Sequence, residues 1–274
     1  MAEASRVLID RIKKSLGDWH RQVCLYPENL AGSRKASAVL FLLGSCPPAT
    51  GREPEACIVF NKRSKRVRQA GDLCFPGGSL AQSLDSLAAR LMGLPFLPLG
   101  RWSYWKSWQI HRKEEASRLA LLLAAGLRES FEEMRLNPLG TEFLGPLPAS
   151  ALRSFDKVIY PLVVWIRNQK RFYPNWEVEK VVSIPVGDFL KPEKYVCYRM
   201  HFQSYTGPDF DAVQDFPGFL HGEGEDQEVL WGATYGIVMS FLQIVFGFSP
   251  PDLHTLPIIE GFRDEAYFNG LPRS

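Results

Sequence analysis

The sequence predicts an α/β fold, a mixed sandwich of sheet and helix, and three observations carry that prediction. Short apolar runs with β-branched or aromatic residues recur along the chain, one long Pro-free helix interrupts them, and a second, apolar helix follows them. Strands broken by one internal and one late helix pack most readily as a layered α/β sandwich. With 274 residues, 46% of them apolar, the chain can bury a large core. One elaborated domain over residues 1–274 is favoured over two small ones.

Near the N-terminus, Leu8, Ile12 and Leu16 recur every four residues with Ile9 beside them, while Asp10, Lys13 and Lys14 fall opposite. That spacing predicts an amphipathic helix over Ser5 to Leu16. Breaks around Pro27 and Gly32 follow, and then Ala38 to Leu43 and Ala56 to Phe60 read as buried strands. Leu119 to Leu136 is rich in Leu, Ala, Glu and Arg and stops before Asn137 and Pro138, which predicts a helix. Glu142 to Leu147, Val158 to Ile166, Val178 to Ile184 and Tyr195 to Phe202 read as further strands, although Pro146 and Pro161 lie inside two of them. A helix from Trp231 to Phe246 closes the core. Trp231 to Phe248 approaches the length of a membrane span, but Thr234, Ser240, Gln243 and three glycines favour a buried helix and no membrane.

The 32 basic and 30 acidic residues give a formal charge of +2, which leaves no global field for nucleic acid. Five scattered cysteines, Cys24, Cys46, Cys57, Cys74 and Cys197, lack CxxC spacing and so suggest neither a disulfide framework nor a zinc knuckle. The N-terminus lacks the basic-then-apolar layout of a signal peptide. Together these predict a chain of the reducing cytoplasm.

Chemistry concentrates in Arg128, Glu129, Ser130, Phe131, Glu132 and Glu133. Residues at i, i+3 and i+4 share a helical face, so Glu129, Glu132 and Glu133 converge on one side. Taken alone, such a string is as well explained by a solvated acidic face. Carboxylates held so close repel unless a cation neutralises them, and hard oxygens suit Mg²⁺ or Mn²⁺. Upstream, Phe75, Pro76, Gly77 and Gly78 form a double-glycine loop whose backbone can approach a bound group and free a carbonyl for a metal shell. Before that loop, Ile58 to Phe60 runs into Asn61, Lys62, Arg63 and Ser64.

These elements resemble the Nudix hydrolase family, and within it the coenzyme A pyrophosphatase branch. The family box places a glycine, an acid, Arg-Glu, two further residues and Glu-Glu in order, which Gly78, Arg128, Glu129, Glu132 and Glu133 fit. The branch's other elements are matched by Arg63 and Ser64, Gly71, Phe75 to Gly78, Glu177 and Val178, and Trp231, Gly232 and Thr234, in order from about residue 56 to 246. The resemblance implies a Nudix-type α/β/α sandwich with a mixed sheet, an N-terminal helix and an insertion at about residues 80–118.

It also implies hydrolysis of a diphosphate in a small nucleotide-type substrate, coenzyme A or acyl-CoA, yielding phosphopantetheine and adenosine 3′,5′-bisphosphate from coenzyme A. Glu129, Glu132 and Glu133 would hold Mg²⁺ or Mn²⁺, with Gly77 or Gly78 adding a carbonyl. One of these Glu, Glu177 or Glu179 would act as base. Arg128 is expected to orient a box Glu, and Arg63, Arg66 and Arg68, with Gly77 and Gly78, to meet phosphate.

The sequence departs from the family pattern in four places. A long insertion splits the box. Its upstream acid falls on Ala120, with Asp85, Glu114 or Glu115 as replacements. Its closing glycine is Arg135, and Gln69 stands where the branch has His. The altered Gln69 element keeps ADP-ribose and dinucleotides as alternative substrates, and Ala120 keeps a non-catalytic binding module as an alternative function. In the insertion, Trp102, Trp105 and Trp108 at three-residue spacing pack a helix against the body or a second subunit, which leaves a homodimer open. The other reading, with Tyr104, Arg112 and Lys113, is a nucleobase-stacking lid. His111 has no second histidine at ligand spacing and reads as a surface or packing residue.

Overall fold

A computed structural model describes residues 3–20, 26, 36–46, 55–152, 157–202, 213–264 and 267. In chain order, α1 (Glu3–His20) precedes β1 (Ala36–Ser45), β2 (Ala56–Arg63), β3 (Leu73–Cys74) and β4 (Gly77–Ser79). The insertion follows as α2 (Gln82–Leu91) and α3 (Trp105–His111) and leads into the long α4 (Lys113–Met134). Then come β5 (Thr141–Pro146), β6 (Ser150–Leu152), β7 (Lys157–Ile166), β8 (Val178–Pro185), β9 (Tyr195–Phe202), β10 (Val213–His221) and β11 (Glu228–Trp231). Helix α5 (Gly232–Phe246) and β12 (Ile258–Arg263) complete the order.

The first sheet runs β3-β2-β1-β7-β5, with β4 on β1, β6 on β7 and β8 on β2. It is mixed, because β1 lies parallel to β7 and antiparallel to β2. A second sheet runs β11-β10-β9-β12. The mixed α/β class expected from the sequence is therefore observed. Side chains alternate along β1, and the alternation sorts the core into two. Ala38, Leu40 and Leu42 face Leu119, Leu122 and Leu123 of α4, while Phe41 and Leu43 face Ile12 and Leu16 of α1 and Phe241 and Leu242 of α5. A strand covered on both faces has no polar side, hence its unbroken apolar run.

The remaining differences are local. Helix α4 starts six residues before the expected Leu119, because the insertion feeds directly into it. The proline-bearing runs still pair: β5 carries a register irregularity between Phe143 and Gly145, and the Pro161 carbonyl accepts the Leu147 N–H. Among the described helices none is long and apolar enough to cross a membrane, and α5 buries Tyr235, Val238 and Phe241. Cys46, Cys57, Cys74 and Cys197 are free thiols, and Cys24 lies outside the described residues.

The missing box glycine is resolved at the end of α4. Arg135 takes the left-handed conformation, φ 56° and ψ 40°, its N–H donates to the Phe131 carbonyl and the Leu136 N–H to that of Ser130, and its guanidinium lies 5.0 Å from the Phe131 ring centre. A residue with a Cβ is strained there, and the cation–π contact offsets only part of the strain. Arg135→Gly should therefore stabilise the fold by about 0.5–1 kcal/mol, read as a higher urea midpoint with unchanged slope. A lower midpoint would show that the stacking outweighs the backbone strain.

Candidate active site

A cleft of about 330 Å³ opens where the last turns of α4 meet β2, β4 and the start of β8. Asn61, Arg63, Val67, Cys74, Gly77, Gly78, Ser79, Glu129, Glu133, Glu177 and Val178 line it. Of the expected residues it gathers Glu129, Glu133, Arg63, Gly77, Gly78 and Glu177. Arg66 and Arg68 are exposed and do not line it, although the Arg68 carbonyl accepts from the Arg63 guanidinium at 2.7 Å. Glu132 projects outward with its side chain 54% exposed. In a larger, open depression on the second sheet the polar groups already engage one another, Arg199 in an ion pair with Asp215 and His201 in a hydrogen bond with Glu260.

The two glycines are needed for different reasons. Gly77 has φ +148°, and a Cβ there would lie 2.2 Å from the Ala38 carbonyl, because β4 runs hard against β1. At Gly78 a Cβ would fall 2.5 Å from Cδ of Glu129, so this glycine leaves room for the carboxylate itself. The contact of Gly77 with the cluster is through its N–H, which hydrogen-bonds Glu133.

Glu133 is fixed from three sides. Asn61 Nδ2 donates to its Oε2 at 2.8 Å, Gly77 donates from the backbone, and the Asn175 N–H donates to its main-chain carbonyl at 2.8 Å. Burial, and then the charge of Glu129, push its carboxyl up to about 8. Burial also raises Glu129, and Arg128 pulls it back. Asn61 Oδ1 is buried without a partner among the described residues. The amide in an otherwise apolar strand was a visible signal, but its role needed the fold.

Arg128 orders the rest. Its guanidinium donates to Asp85 Oδ1 at 2.8 Å and Oδ2 at 3.2 Å, to Glu129 Oε1 at 2.9 Å and to the Ser79 carbonyl at 3.2 Å. Asp85 is buried on α2 and also accepts the Ala81 N–H. Glu114 pairs instead with Arg118 and Glu115 with Arg112, while Ala120 packs in the core. Of the three candidates, Asp85 is the acid that reaches the split box.

The insertion corrects the lid reading. Trp102, Trp105 and Trp108 are buried in the α4-side core, and Arg112 lies over Trp108. Large rings placed there cement the insertion to the body and stack no ligand. His111 is exposed. Asp72, overlooked in the sequence, accepts from Trp231 Nε1, Arg263 and the Tyr267 hydroxyl. It pins the loop that follows Arg63, whose N–H bonds the Asp72 carbonyl at 2.9 Å.

No family model matches the chain. Over 191 residues it is 24% identical to Nudix hydrolase 3 of Caenorhabditis elegans, a match covering 68% of this chain and 63% of that protein. The match supports the Nudix hydrolase family. The chain thus spans less than two thirds of that relative's length. Three Nudix-type solved structures align at lower identity. RenU of M. smegmatis is 14% identical, covering 57% of this chain and 74% of its own, with a TM-score of 0.34. A MutT/nudix family protein of Enterococcus faecalis is 12% identical, covering 89% and 75%, at 0.37. The Nudix domain of Shewanella oneidensis NrtR, complexed with ADP ribose, is 12% identical, covering 58% and 77%, at 0.33.

The elevated Glu133 carboxyl gives a test of the geometry alone. It titrates near 4.5 when unfolded and near 8 when folded, so the folded state holds the extra proton. Its contribution is complete below about pH 4.5 and is lost as pH rises to about 8. Glu133→Gln should remove this slope in chelator-treated protein, raising stability near pH 8 by up to a few kcal/mol on the order of the pKa shift. Parallel stability–pH curves for the two proteins would contradict the burial of Glu133.

Proposed function

We propose that this chain is a divalent-metal-dependent Nudix diphosphatase that hydrolyses the diphosphate of a nucleoside diphosphate derivative, with coenzyme A or acyl-CoA as substrate. The observation that carries the reading is the joint placement of Glu129, Glu133 and the Gly77–Gly78 turn around one cleft, with Arg128 tied to Asp85.

The donor set fits a hard cation. Glu129 and Glu133 are partly desolvated carboxylates whose mutual repulsion a divalent ion would relieve, and the unpartnered Asn61 Oδ1 is a third hard oxygen in the same wall. Among the described residues no three His, Cys, Asp or Glu side chains already surround one point. Glu129 and Glu133 would therefore hold the ion, and Glu132 would join them only by turning inward from the rim. Bound Mg²⁺ or Mn²⁺ would supply positive charge to the diphosphate oxygens and ease deprotonation of water.

The chain's own groups do the rest. Arg63 brings a cation to the cleft wall for a phosphate oxygen, and Asp72 keeps its loop in place. Asn61 and the Gly77 N–H fix the Glu133 carboxylate, and Asp85 fixes Arg128, which holds Glu129. Glu177 lines the cleft, its backbone N–H held by Asn175 Oδ1, and in this reading it takes the proton of the attacking water. Glu179 is engaged by Lys62 at 3.5 Å and does not line the cleft.

Coenzyme A is proposed from the ordered motifs around Arg63, Phe75 to Gly78, and Trp231. One observation favours a second substrate reading, ADP-ribose or a dinucleotide: Gln69 adopts φ 55° and its N–H bonds the Tyr267 carbonyl, so no imidazole stands in that loop. A non-catalytic module was suggested by Ala120, and against it we propose that Asp85, bonded to Arg128, serves in place of the acid missing there. We take residues 1–274 as one catalytic domain that includes the 80–118 insertion and acts on a small cytoplasmic substrate.

The test is hydrolysis with Mg²⁺ across coenzyme A, acyl-CoA, ADP-ribose and a dinucleoside polyphosphate. Wild type should cleave coenzyme A, Glu133→Gln should lower kcat about 100-fold or more, and Asp85→Ala about 10–100-fold. Cleavage of ADP-ribose but not coenzyme A removes the substrate. No turnover, or turnover indifferent to Glu133→Gln, removes the function.

A further inference from the structure

The insertion presents a face that the site does not use. Helix α2 turns Asp85, Ala88 and Ala89 inward against α4 and the core. Its other side carries Leu84, Leu87 and Leu91, exposed by 63%, 63% and 51%, and the following turn adds Leu94 at 39% and Phe96 at 61%. The mount is rigid, since Met92, Leu99, Trp102 and Trp105 behind it are buried. Such a stripe is not an accident of fraying.

We propose that this face is a self-association surface, its occupant the same face of a second copy of this chain. Leu84, Leu87 and Leu91 follow the i, i+3, i+7 spacing that lines one face of α2, and Leu94 and Phe96 of the following turn extend the patch, so an identical stripe can interdigitate with it. A two-fold axis through the stripe makes the contact isologous and closed. The patch is on the order of 500 Å², at the top of what monomers expose. Two of them reach the total of about 1,000 Å² that a specific interface needs.

Charge points the same way. Beside the leucines stand Ser83, Ser86 and Arg90, so one cation is the whole charge of the face. A membrane-surface helix draws on a strongly cationic flank, which ten-residue α2 lacks. A near-neutral stripe meets its own copy with little repulsion. Asp85 lies between Leu84 and Leu87 on the inward side, so pairing would also press α2 onto α4 where Asp85 holds Arg128. The surface stands on geometry alone and does not depend on the catalytic reading.

Light scattering coupled to size exclusion tests it, at loading concentrations from about 1 to 100 μM, for wild type, Leu87→Glu/Leu91→Glu and Val7→Glu. Val7 is 65% exposed on α1 and serves as the control. Wild type and Val7→Glu should run at twice the 31.0 kDa of one chain, and the double variant at that single mass with an unchanged circular dichroism spectrum. A wild type that stays monomeric at 100 μM overturns the proposal. So does a dimer that survives the double substitution, or one that Val7→Glu alone disrupts. A monomer that co-sediments with phosphatidylcholine/phosphatidylserine vesicles through Leu87 and Leu91 overturns it in favour of a lipid surface. If the double variant loses its spectrum, Leu87→Ser/Leu91→Ser takes its place with the same outcomes.

Discussion

Two carboxyl groups held in partial burial on one face of α4 are the constraint around which the site is built. Burial raises the proton affinity of both Glu129 and Glu133, and the charge of Glu129 adds to the shift at Glu133. Left alone, such a pair would protonate or swing into water. The surrounding residues hold both in place: Gly78 vacates the volume that Glu129 fills, Asn61 and Gly77 grip Glu133, and Arg128 bridges from Glu129 to Asp85. Helix, sheet and insertion each contribute one support. The site is thus a product of packing between distant segments and not of the helix motif alone.

The insertion explains how a split motif stays one site. A continuous box would set its first acid one helical stretch before Arg128, at the position now held by Ala120, and that position is buried against the sheet. Asp85 of α2 instead reaches Arg128, carried by a segment whose three tryptophans pack in the same core as α4. Burying Asp85 is tolerable only because it accepts two donors from Arg128 and the Ala81 N–H. The aromatic residues of the insertion serve that placement.

Much of this was legible in the sequence where one local rule dominates. The four-residue period marked α1, the unbroken apolar run marked β1, and Glu129 and Glu133 of the ExxEE string line one cleft with the Gly77–Gly78 turn, while Glu132 does not. Strands β10 and β12 were missed because Pro217, Gly218 and Gly261 interrupt their alternation and pairing with β9 overrides weak propensity, and the four-residue β11 is too short to show a period. Helix α2 was missed because its leucines face outward, against the rule that apolar residues mark the core. Asn61 and Asp72 act on partners 72 and up to 195 residues away, a distance that no local pattern encodes. Asp85 was visible as one of three acids, and only the packing of α2 on α4 chose it.

The most direct test of the central claim is proton release on cation binding. Calorimetric titration of Mg²⁺ or Mn²⁺ at pH 7, in buffers of different ionisation enthalpy, counts the protons displaced. A carboxyl pushed up to about 8 is mostly protonated at that pH, so binding at Glu129 and Glu133 should release about one proton per site, and Glu133→Gln should abolish the release. Binding without proton release, or release that persists in Glu133→Gln, would contradict the assignment of this carboxylate pair as the site.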